Sequence, residues 1–166
     1  MLSRFPLLQV LVVKTAPREQ SQFQMWNSHM SPMRVLVVED FAPFLQVIRS
    51  TLAERPDVLV IGEVADGLEG VHKAEVLEPD LVLLDIGLPT LNGIEAARQI
   101  RTLAPESKIV FVSQESSSEV VQEALNVGAW GYVVKTRVAS DLLAAVDAVL
   151  EGRHFVSVGL SIQNWN

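Results

Sequence analysis

The feature that most constrains this fold is a regular alternation between short, β-branched apolar runs and amphipathic segments. The apolar runs cover residues 34–38, 58–64, 81–84, 109–112 and 132–134. They are mostly continuous rather than alternating, which is typical of strands buried on both faces of a sheet. Each intervening segment is long enough for a right-handed crossover, so we expect the five strands to be parallel.

The segments between the runs have helical periodicity. In the first, the apolar residues recur at i, i+3, i+4, i+7 and i+11, which predicts a helix ending near 55–56 with the apolar face Phe41, Phe44, Leu45, Ile48 and Leu52. Further helices are predicted over 68–77, after a cap at Asn92, from a cap at 116–118 to Gly128, and over 138–150. Five strands alternating with five helices predict a three-layer parallel α/β sandwich.

Composition narrows the possible functions. The chain has 166 residues, a formal net charge of −7 and no cysteine. The lack of cysteine excludes a disulfide scaffold, a thiol nucleophile and a thiolate-based metal site. The acidic balance argues against a nucleic-acid-binding surface, and no apolar stretch reaches the roughly 18–20 residues of a membrane span. We therefore expect an intracellular protein with one core.

Both ends of the chain depart from the regular pattern. Residues 1–32 include a Gln/Ser-rich stretch without periodicity and are predicted to be a weakly ordered N-terminal arm. Alternatively, the apolar run 8–13 forms an extra strand, or the true start is Met30 or Met33. Residues 33–152 are predicted to form the domain and 153–166 a C-terminal tail.

Four of the five predicted strands deliver a polar side chain to one edge of the sheet. Glu39 and Asp40 follow the first strand, Asp85 the third, Ser113 the fourth and Lys135 the fifth. Taken singly, each residue could also have a purely structural role at a helix start, in a turn or in a solvated loop. Taken together, three carboxylates at one sheet edge need a cation, because clustered negative charges repel one another.

The chemistry that suits this edge is phosphoryl transfer. Carboxylate oxygens suit Mg²⁺, with Glu39 and Asp40 as candidate ligands. Asp85 ends the middle strand and is the candidate nucleophile, which would form an acyl phosphate. Lys135 would counter the negative charge of the phosphoryl group, and the Ser113 hydroxyl would donate to a phosphate oxygen.

These residues resemble the receiver domain of bacterial two-component response regulators over about residues 33–152. The resemblance is carried by several motifs in the right order, namely the acidic pair in 37–40, the acceptor in 83–89 with Asn92-Gly93 after it, Ser113, and Lys135. It implies a (βα)5 flavodoxin-like sandwich with a five-stranded parallel sheet in the order 2-1-3-4-5.

The resemblance also implies roles for individual residues. Asp85 would be the phosphoacceptor, and Lys135 would pair with it and then with the phosphate. Mg²⁺ would be held by the side chains of Asp40 and Asp85 and by the backbone carbonyl of Gly87, with Glu39 contributing through water. The switch residues would be Ser113 and Tyr132, the latter an aromatic whose rotation accompanies the serine shift.

The implied partner is a sensor histidine kinase or a phosphotransfer protein, in the cytoplasm. The implied output is a changed face formed by the fourth helix, the fifth strand and the fifth helix, which is also a possible homodimer contact. The protein would not be an enzyme beyond slow self-dephosphorylation.

The sequence at 66–69, 128–132 and 151–153 resembles that of the NarL/LuxR-like subgroup, whose members usually add a DNA-binding domain. Because only residues 153–166 follow Gly152, we expect no direct nucleic-acid binding, and we expect the chain to be either a stand-alone receiver or a fragment of a longer regulator. Thr136 follows Lys135 where many receivers have proline, and Gln114 and Glu115 follow Ser113, where side chains tune hydrolysis in the family.

Trp130 suits either a partner contact or packing against the end of the fourth helix.

Three other functions compete with the signalling switch. A phosphorylation-independent interaction module would show loss of an acid, the acceptor or the lysine, and none is lost. A phosphatase with an aspartate nucleophile usually has a second acid two residues later, where this chain has Gly87. A flavin-binding protein is disfavoured because an acidic loop after the first strand would repel a phosphate that has no metal.

Overall fold

The computed structural model of the chain describes residues 31–160. Within them, six parallel strands form one sheet in the order β2-β1-β3-β4-β5-β6. The strands are β1 Met33–Val38, β2 Val58–Val64, β3 Leu81–Leu84, β4 Lys108–Ser113, β5 Gly131–Val134 and β6 Phe155–Val156. The helices are α1 Ala42–Leu52, α2 Gly67–Leu77, α3 Gly93–Leu103, α4 Ser118–Asn126 and α5 Val138–Leu150, with a 3₁₀ turn Lys135–Arg137 before α5.

The sheet separates two apolar cores. Successive strand residues point to opposite faces, so Leu36 and Val38 pack on one side while Val35 and Val37 pack on the other. The first core is closed by α2, α3 and α4, and the second by α1 and α5. The predicted three-layer α/β sandwich is confirmed, as is the continuous apolar character of strands that are buried on both faces.

Polar side chains start three of the helices. Asp66 caps α2 by accepting from the Leu68 and Glu69 amides, and the Asn92 side chain caps α3 by accepting from the Glu95 amide at 3.0 Å. Ser117 caps α4. The predicted caps at Asn92 and within 116–118 are therefore confirmed.

The structure differs from the sequence-based expectation in two places. A sixth strand, β6, lies in the predicted tail and extends the sheet beyond the expected five strands. A strand of two residues has too little length to show a period, which is why the sequence pattern did not reveal it. Phe41 was predicted to lie on the apolar face of α1, but it precedes the helix and its side chain is 58% exposed.

The predicted N-terminal arm lies almost wholly outside the described residues, as does the alternative strand at 8–13. Among residues 31–160, none of the helices combines the length and the apolar character that crossing a bilayer requires.

Candidate functional site

The ends of β1, β3 and β5 bring four charged side chains together at the carboxyl edge of the sheet. One carboxylate oxygen from each of Glu39, Asp40 and Asp85 lies within 4.8 Å of the other two. Lys135 joins them from the start of the 3₁₀ turn. Glu39, Asp85 and Lys135 are buried, whereas Asp40 is exposed. The structure thus places three acids and one amine in a single cluster, as their positions at the ends of parallel strands predicted.

Lys135 is held between two carboxylates. Its Nζ donates a hydrogen bond to Asp85 Oδ2 at 2.9 Å and lies 2.7 Å from Glu39 Oε2. A third side of the ammonium faces the ring of Phe44, whose centroid is 4.6 Å away. Burial alone would lower the pKa of Lys135, but the contacts with Glu39 and Asp85 outweigh burial and raise the pKa above its ordinary value. The amine is therefore held as a cation beside Asp85.

Glu39 is the least satisfied member of the cluster. Its Oε1 accepts a hydrogen bond from the Phe41 amide at 3.0 Å. Its Oε2 is buried and accepts no hydrogen bond, because the close contact with Lys135 is an ion pair without hydrogen-bond geometry. Burial raises the pKa of Glu39, against the lowering effects of Lys135 and the Phe41 amide.

The loop after β3 fixes Asp85 by close backbone packing. Asp85 Oδ1 accepts from the Ile86 amide at 2.7 Å, and the Gly93 amide donates to the Ile86 carbonyl at 2.9 Å. A Cβ at Gly93 would lie only 1.9 Å from the carbonyl oxygen of Asp85, so glycine is required there. At Gly87 a Cβ would meet only Asp85 Oδ2, at 3.9 Å, so this glycine leaves the approach to the carboxylate open.

The predicted switch residues are joined through the loop after β4. The Tyr132 hydroxyl donates to the Glu115 carbonyl at 2.8 Å, and the Glu115 amide donates to Ser113 Oγ at 3.3 Å. Tyr132 is fully buried, and this burial raises its pKa to about 12. The loop that follows Ser113 is therefore tied to Tyr132 in β5, three residues before Lys135.

The structure shows how Trp130 packs, whereas a partner contact at this residue stays a prediction. It precedes β5 at the opposite edge of the sheet, is half-buried, and packs against the core that α1 and α5 close. Its ring stacks on His154 with centroids 4.8 Å apart, and Lys108 Nζ lies 4.2 Å from its centroid. The residue therefore packs, but against the C-terminal segment rather than the end of α4.

Phe44 belongs to the site although the sequence pattern assigned it to the core. Its helical spacing predicted burial, and it does pack partly against the core. The signal that could have identified it is its place in the first turn of the helix that follows Glu39 and Asp40, since that turn starts at the same edge of the sheet.

The donor set fits a divalent cation. Three carboxylates and one ammonium leave two negative charges when all are ionised, and oxygen ligands are those that Mg²⁺ prefers. Glu39 Oε2, which forms an ion pair with Lys135 but lacks a hydrogen bond of regular geometry, is a further buried carboxylate oxygen in this cluster. Asp40 is exposed, so the cluster is open to solvent on one side, as suits an ion that keeps several of its waters.

Comparison with known proteins places this geometry in a family. The response regulator receiver domain model matches residues 35–147. The chain is 33% identical over 134 residues to the nitrate/nitrite response regulator protein NarL of Escherichia coli, a match that covers 81% of this chain and 62% of NarL. It is 35% identical over 120 residues to the response regulator protein VraR of Staphylococcus epidermidis, covering 72% of this chain and 57% of VraR. The matches thus span about three fifths of these relatives.

Solved structures agree. A two-component response regulator of the LuxR family from Aurantimonas sp. superposes with a TM-score of 0.74 at 32% identity, covering 78% of this chain and 93% of that one. The receiver domain of the putative response regulator NarL from Mycobacterium tuberculosis gives a TM-score of 0.70 at 27% identity, covering 74% and 99%. With its acidic cluster, its lysine and its sheet order, this chain belongs to the response regulator receiver domain family.

Proposed function

We propose that the protein is the phosphoacceptor switch of a two-component system, with Asp85 as the acceptor. The observation that supports this most is the surroundings of the Asp85 carboxylate. One oxygen is bonded to the Lys135 ammonium, two further acids lie within 4.8 Å, and Gly87 leaves the approach open. The donor would be a phosphohistidine on a sensor histidine kinase or a phosphotransfer protein, and the reaction would occur in the cytoplasm.

In the transfer step, an oxygen of Asp85 forms a bond to phosphorus while the N–P bond of the phosphohistidine breaks. The imidazole leaves with the electron pair of that bond. Lys135 Nζ, 2.9 Å from Asp85 Oδ2, offsets the negative charge that the phosphoryl oxygens bring. The Ser113 hydroxyl, at the end of the neighbouring strand β4, donates to a phosphoryl oxygen.

A divalent cation fits the same cluster. Asp40, Asp85 and the backbone carbonyl of Gly87 would hold Mg²⁺, with Glu39 contributing through water. The ion would supply charge neutralisation in the transition state. Lys135 pairs with Glu39 and with one oxygen of Asp85, so it would supply positive charge in addition to that of the ion.

The output is a changed α4–β5–α5 face. Ser113 and Tyr132 are connected through Glu115, so a shift of Ser113 towards a phosphoryl group would pull on the loop that Tyr132 anchors. The altered face would bind a protein partner or a second copy of this chain. Size-exclusion chromatography with and without the phosphoryl group distinguishes these two outcomes.

The test is intact-mass spectrometry after incubation with a small phosphodonor and Mg²⁺. We expect one added phosphoryl group, no addition in excess EDTA, and none in Asp85→Asn. A phosphoryl group on Asp85→Asn, or none on the natural sequence, would contradict the proposal.

Two further measurements, of partner binding and of phosphate-ester turnover, judge the competing functions. An interaction module that does not need phosphorylation would bind its partner equally well as the natural sequence and as Asp85→Asn, yet the acids, acceptor and lysine are all present. An enzyme would turn over a generic phosphate ester many times. We expect at most slow loss of the phosphoryl group, since Gly87 occupies the position where such a phosphatase has its second acid.

A further inference from the structure

The short strand β6 covers the outer edge of β5. The Phe155 amide donates to the Trp130 carbonyl at 3.1 Å, and the Ser157 amide donates to the Tyr132 carbonyl at 2.9 Å. These bonds pair β6 with the first half of β5, Gly131 and Tyr132. The segment lies beyond residue 147, where the match to the family model ends.

Ser157 ends this pairing with its side chain. Regular pairing stops at Val156, and the next amide of β5 on that edge, from Val134, donates to Ser157 Oγ at 3.1 Å. Ser157 is 2% exposed and Val134 is 9% exposed. A buried amide without an acceptor is costly, so the hydroxyl fixes the backbone one residue before Lys135.

The same serine meets the far side of the turn that carries Lys135. Asp141, at the start of α5, is buried and accepts a hydrogen bond at 2.9 Å from Arg137, the last residue of the 3₁₀ turn. Arg137 and the nearby Ser157 hydroxyl both lower the pKa of Asp141. Ser157 therefore contacts the residue before the turn directly and the end of the turn through Asp141. This is also the stretch where Thr136 replaces the proline that many receivers have.

We infer that Ser157 is a positioning residue that holds the Lys135 ammonium between Glu39 and Asp85. Its consequence for phosphoryl transfer rests on the function proposed above, whereas its consequence for the place of Lys135 does not. Without the hydroxyl, the buried Val134 amide has no acceptor, so the end of β5 shifts to bring this amide to water. The turn that begins at Lys135 then shifts with it.

The experiment compares Ser157→Ala with Ser107→Ala, a matched control. Ser107 is also buried, and its hydroxyl donates to the Pro79 carbonyl at 2.6 Å. This bond lies at the amino-terminal ends of β3 and β4, away from Lys135. Each variant loses a buried hydrogen bond, and Ser157→Ala also loses the contact with Asp141, so Ser157→Ala should lose at least as much stability as Ser107→Ala. Only the Ser157 variant should alter the NMR signal of the Lys135 ammonium and speed hydrogen exchange at the Val134 amide, by about 10-fold or more.

A second readout is the rate at which the phosphodonor modifies Asp85. We expect a fall of roughly 3- to 10-fold for Ser157→Ala and little change for Ser107→Ala, as for a loss of positioning rather than of a reacting group. If the natural sequence takes no phosphoryl group at all, the proposed function fails, and the NMR and exchange readouts still judge this inference. Unchanged Lys135 and Val134 signals in Ser157→Ala would overturn it.

An isosteric pair guards against a variant that does not fold. Ser157→Thr keeps the hydroxyl, and Ser157→Val carries a methyl group in its place, so the two variants have nearly equal side-chain volumes. The threonine variant should retain the Lys135 signal and the transfer rate, and the valine variant should lose both. Equal behaviour of the two would show that the hydroxyl has no positioning role.

Discussion

At the residue scale, the site combines one cation with three acids of unequal surroundings. Lys135 is fully engaged by Asp85, Glu39 and the ring of Phe44, whereas Glu39 keeps one buried oxygen without a hydrogen bond. The metal-free protein therefore bears an electrostatic cost at Glu39 that a divalent ion would relieve.

The first prediction concerns that cost. In EDTA, Glu39→Gln should raise the free energy of unfolding at pH 7 by about 1 kcal/mol, because it removes a desolvated charge. Saturating Mg²⁺, at about 100 times its dissociation constant, should add about 2.7 kcal/mol to the natural sequence and less to the variant. Urea unfolding with and without Mg²⁺ measures both changes.

The pH dependence follows from the direction of the shift. The folded-state pKa of Glu39 lies above the ordinary value of 4.5, so the cost of its charge appears as the pH rises through the folded-state pKa. In EDTA the advantage of Glu39→Gln should shrink as the pH falls from 7 towards 4.5. Asp40→Asn is the control, since it removes an exposed acid and should weaken the Mg²⁺ effect without stabilising the metal-free protein. A Glu39→Gln variant less stable than the natural sequence in EDTA would contradict this account.

The second prediction compares two glycines of the acceptor loop. Gly93→Ala should lower the free energy of unfolding by about 1–3 kcal/mol, because its Cβ would collide with the Asp85 carbonyl. Gly87→Ala should stay within about 0.5 kcal/mol, because its Cβ would have space. Urea unfolding of the two variants tests this, and equal losses would argue against the close packing of Gly93 on Asp85.

Single residues differ in how far the sequence could place them. Glu39, Asp40, Asp85 and Lys135 were predictable as a group, because parallel strands bring their carboxyl ends to one edge whatever the details of packing. Ser157 was not, because its position depends on a two-residue strand. Their roles in metal binding and phosphoryl transfer stay predictions.

At the scale of elements, the segment from β5 to α5 is held by buried polar groups rather than by apolar packing alone. Burial would raise the pKa of Asp141, but hydrogen bonds from Arg137, Ser140 and Ser157 outweigh burial and lower the pKa to about 2. Sequence periodicity placed α5 correctly over 138–150, since its apolar face repeats over three turns. It could not show this network, whose members lie on three different elements.

The third prediction follows from the lowered pKa of Asp141. A depressed carboxyl pKa stabilises the folded state above the unfolded value of 3.8, and this stabilisation is lost as the pH falls through about 2. Asp141→Asn should therefore lower the free energy of unfolding at pH 7, and the deficit should narrow below 3.8. Denaturant unfolding across this range measures the effect, with Asp147→Asn as a comparison, because Asp147 is a half-exposed acid of α5 that pairs with Arg55. A deficit that does not change with pH would contradict the assignment.

At the scale of the whole molecule, the alternation of runs and helices determined the layers, and the structure shows why. The inner strands β1, β3 and β4, together with β5, bury both faces, so their continuous apolar runs demand helices on both sides. The order of the strands did not follow from periodicity; it followed from the family resemblance, and the observed order adds only β6 to it. The edge strand β6 escaped prediction because it is held by a few bonds to β5 and by no period of its own.

The most direct test of the central claim is to locate the phosphoryl group after treatment with a phosphodonor and Mg²⁺. Borohydride reduces an aspartyl phosphate to homoserine, and peptide mass spectrometry then identifies the modified residue. If Asp85 is the phosphoacceptor, we expect homoserine at position 85 and unmodified aspartate at position 40. Modification at Asp40, at Glu39 or on a hydroxyl such as that of Ser113, with Asp85 unchanged, would contradict it.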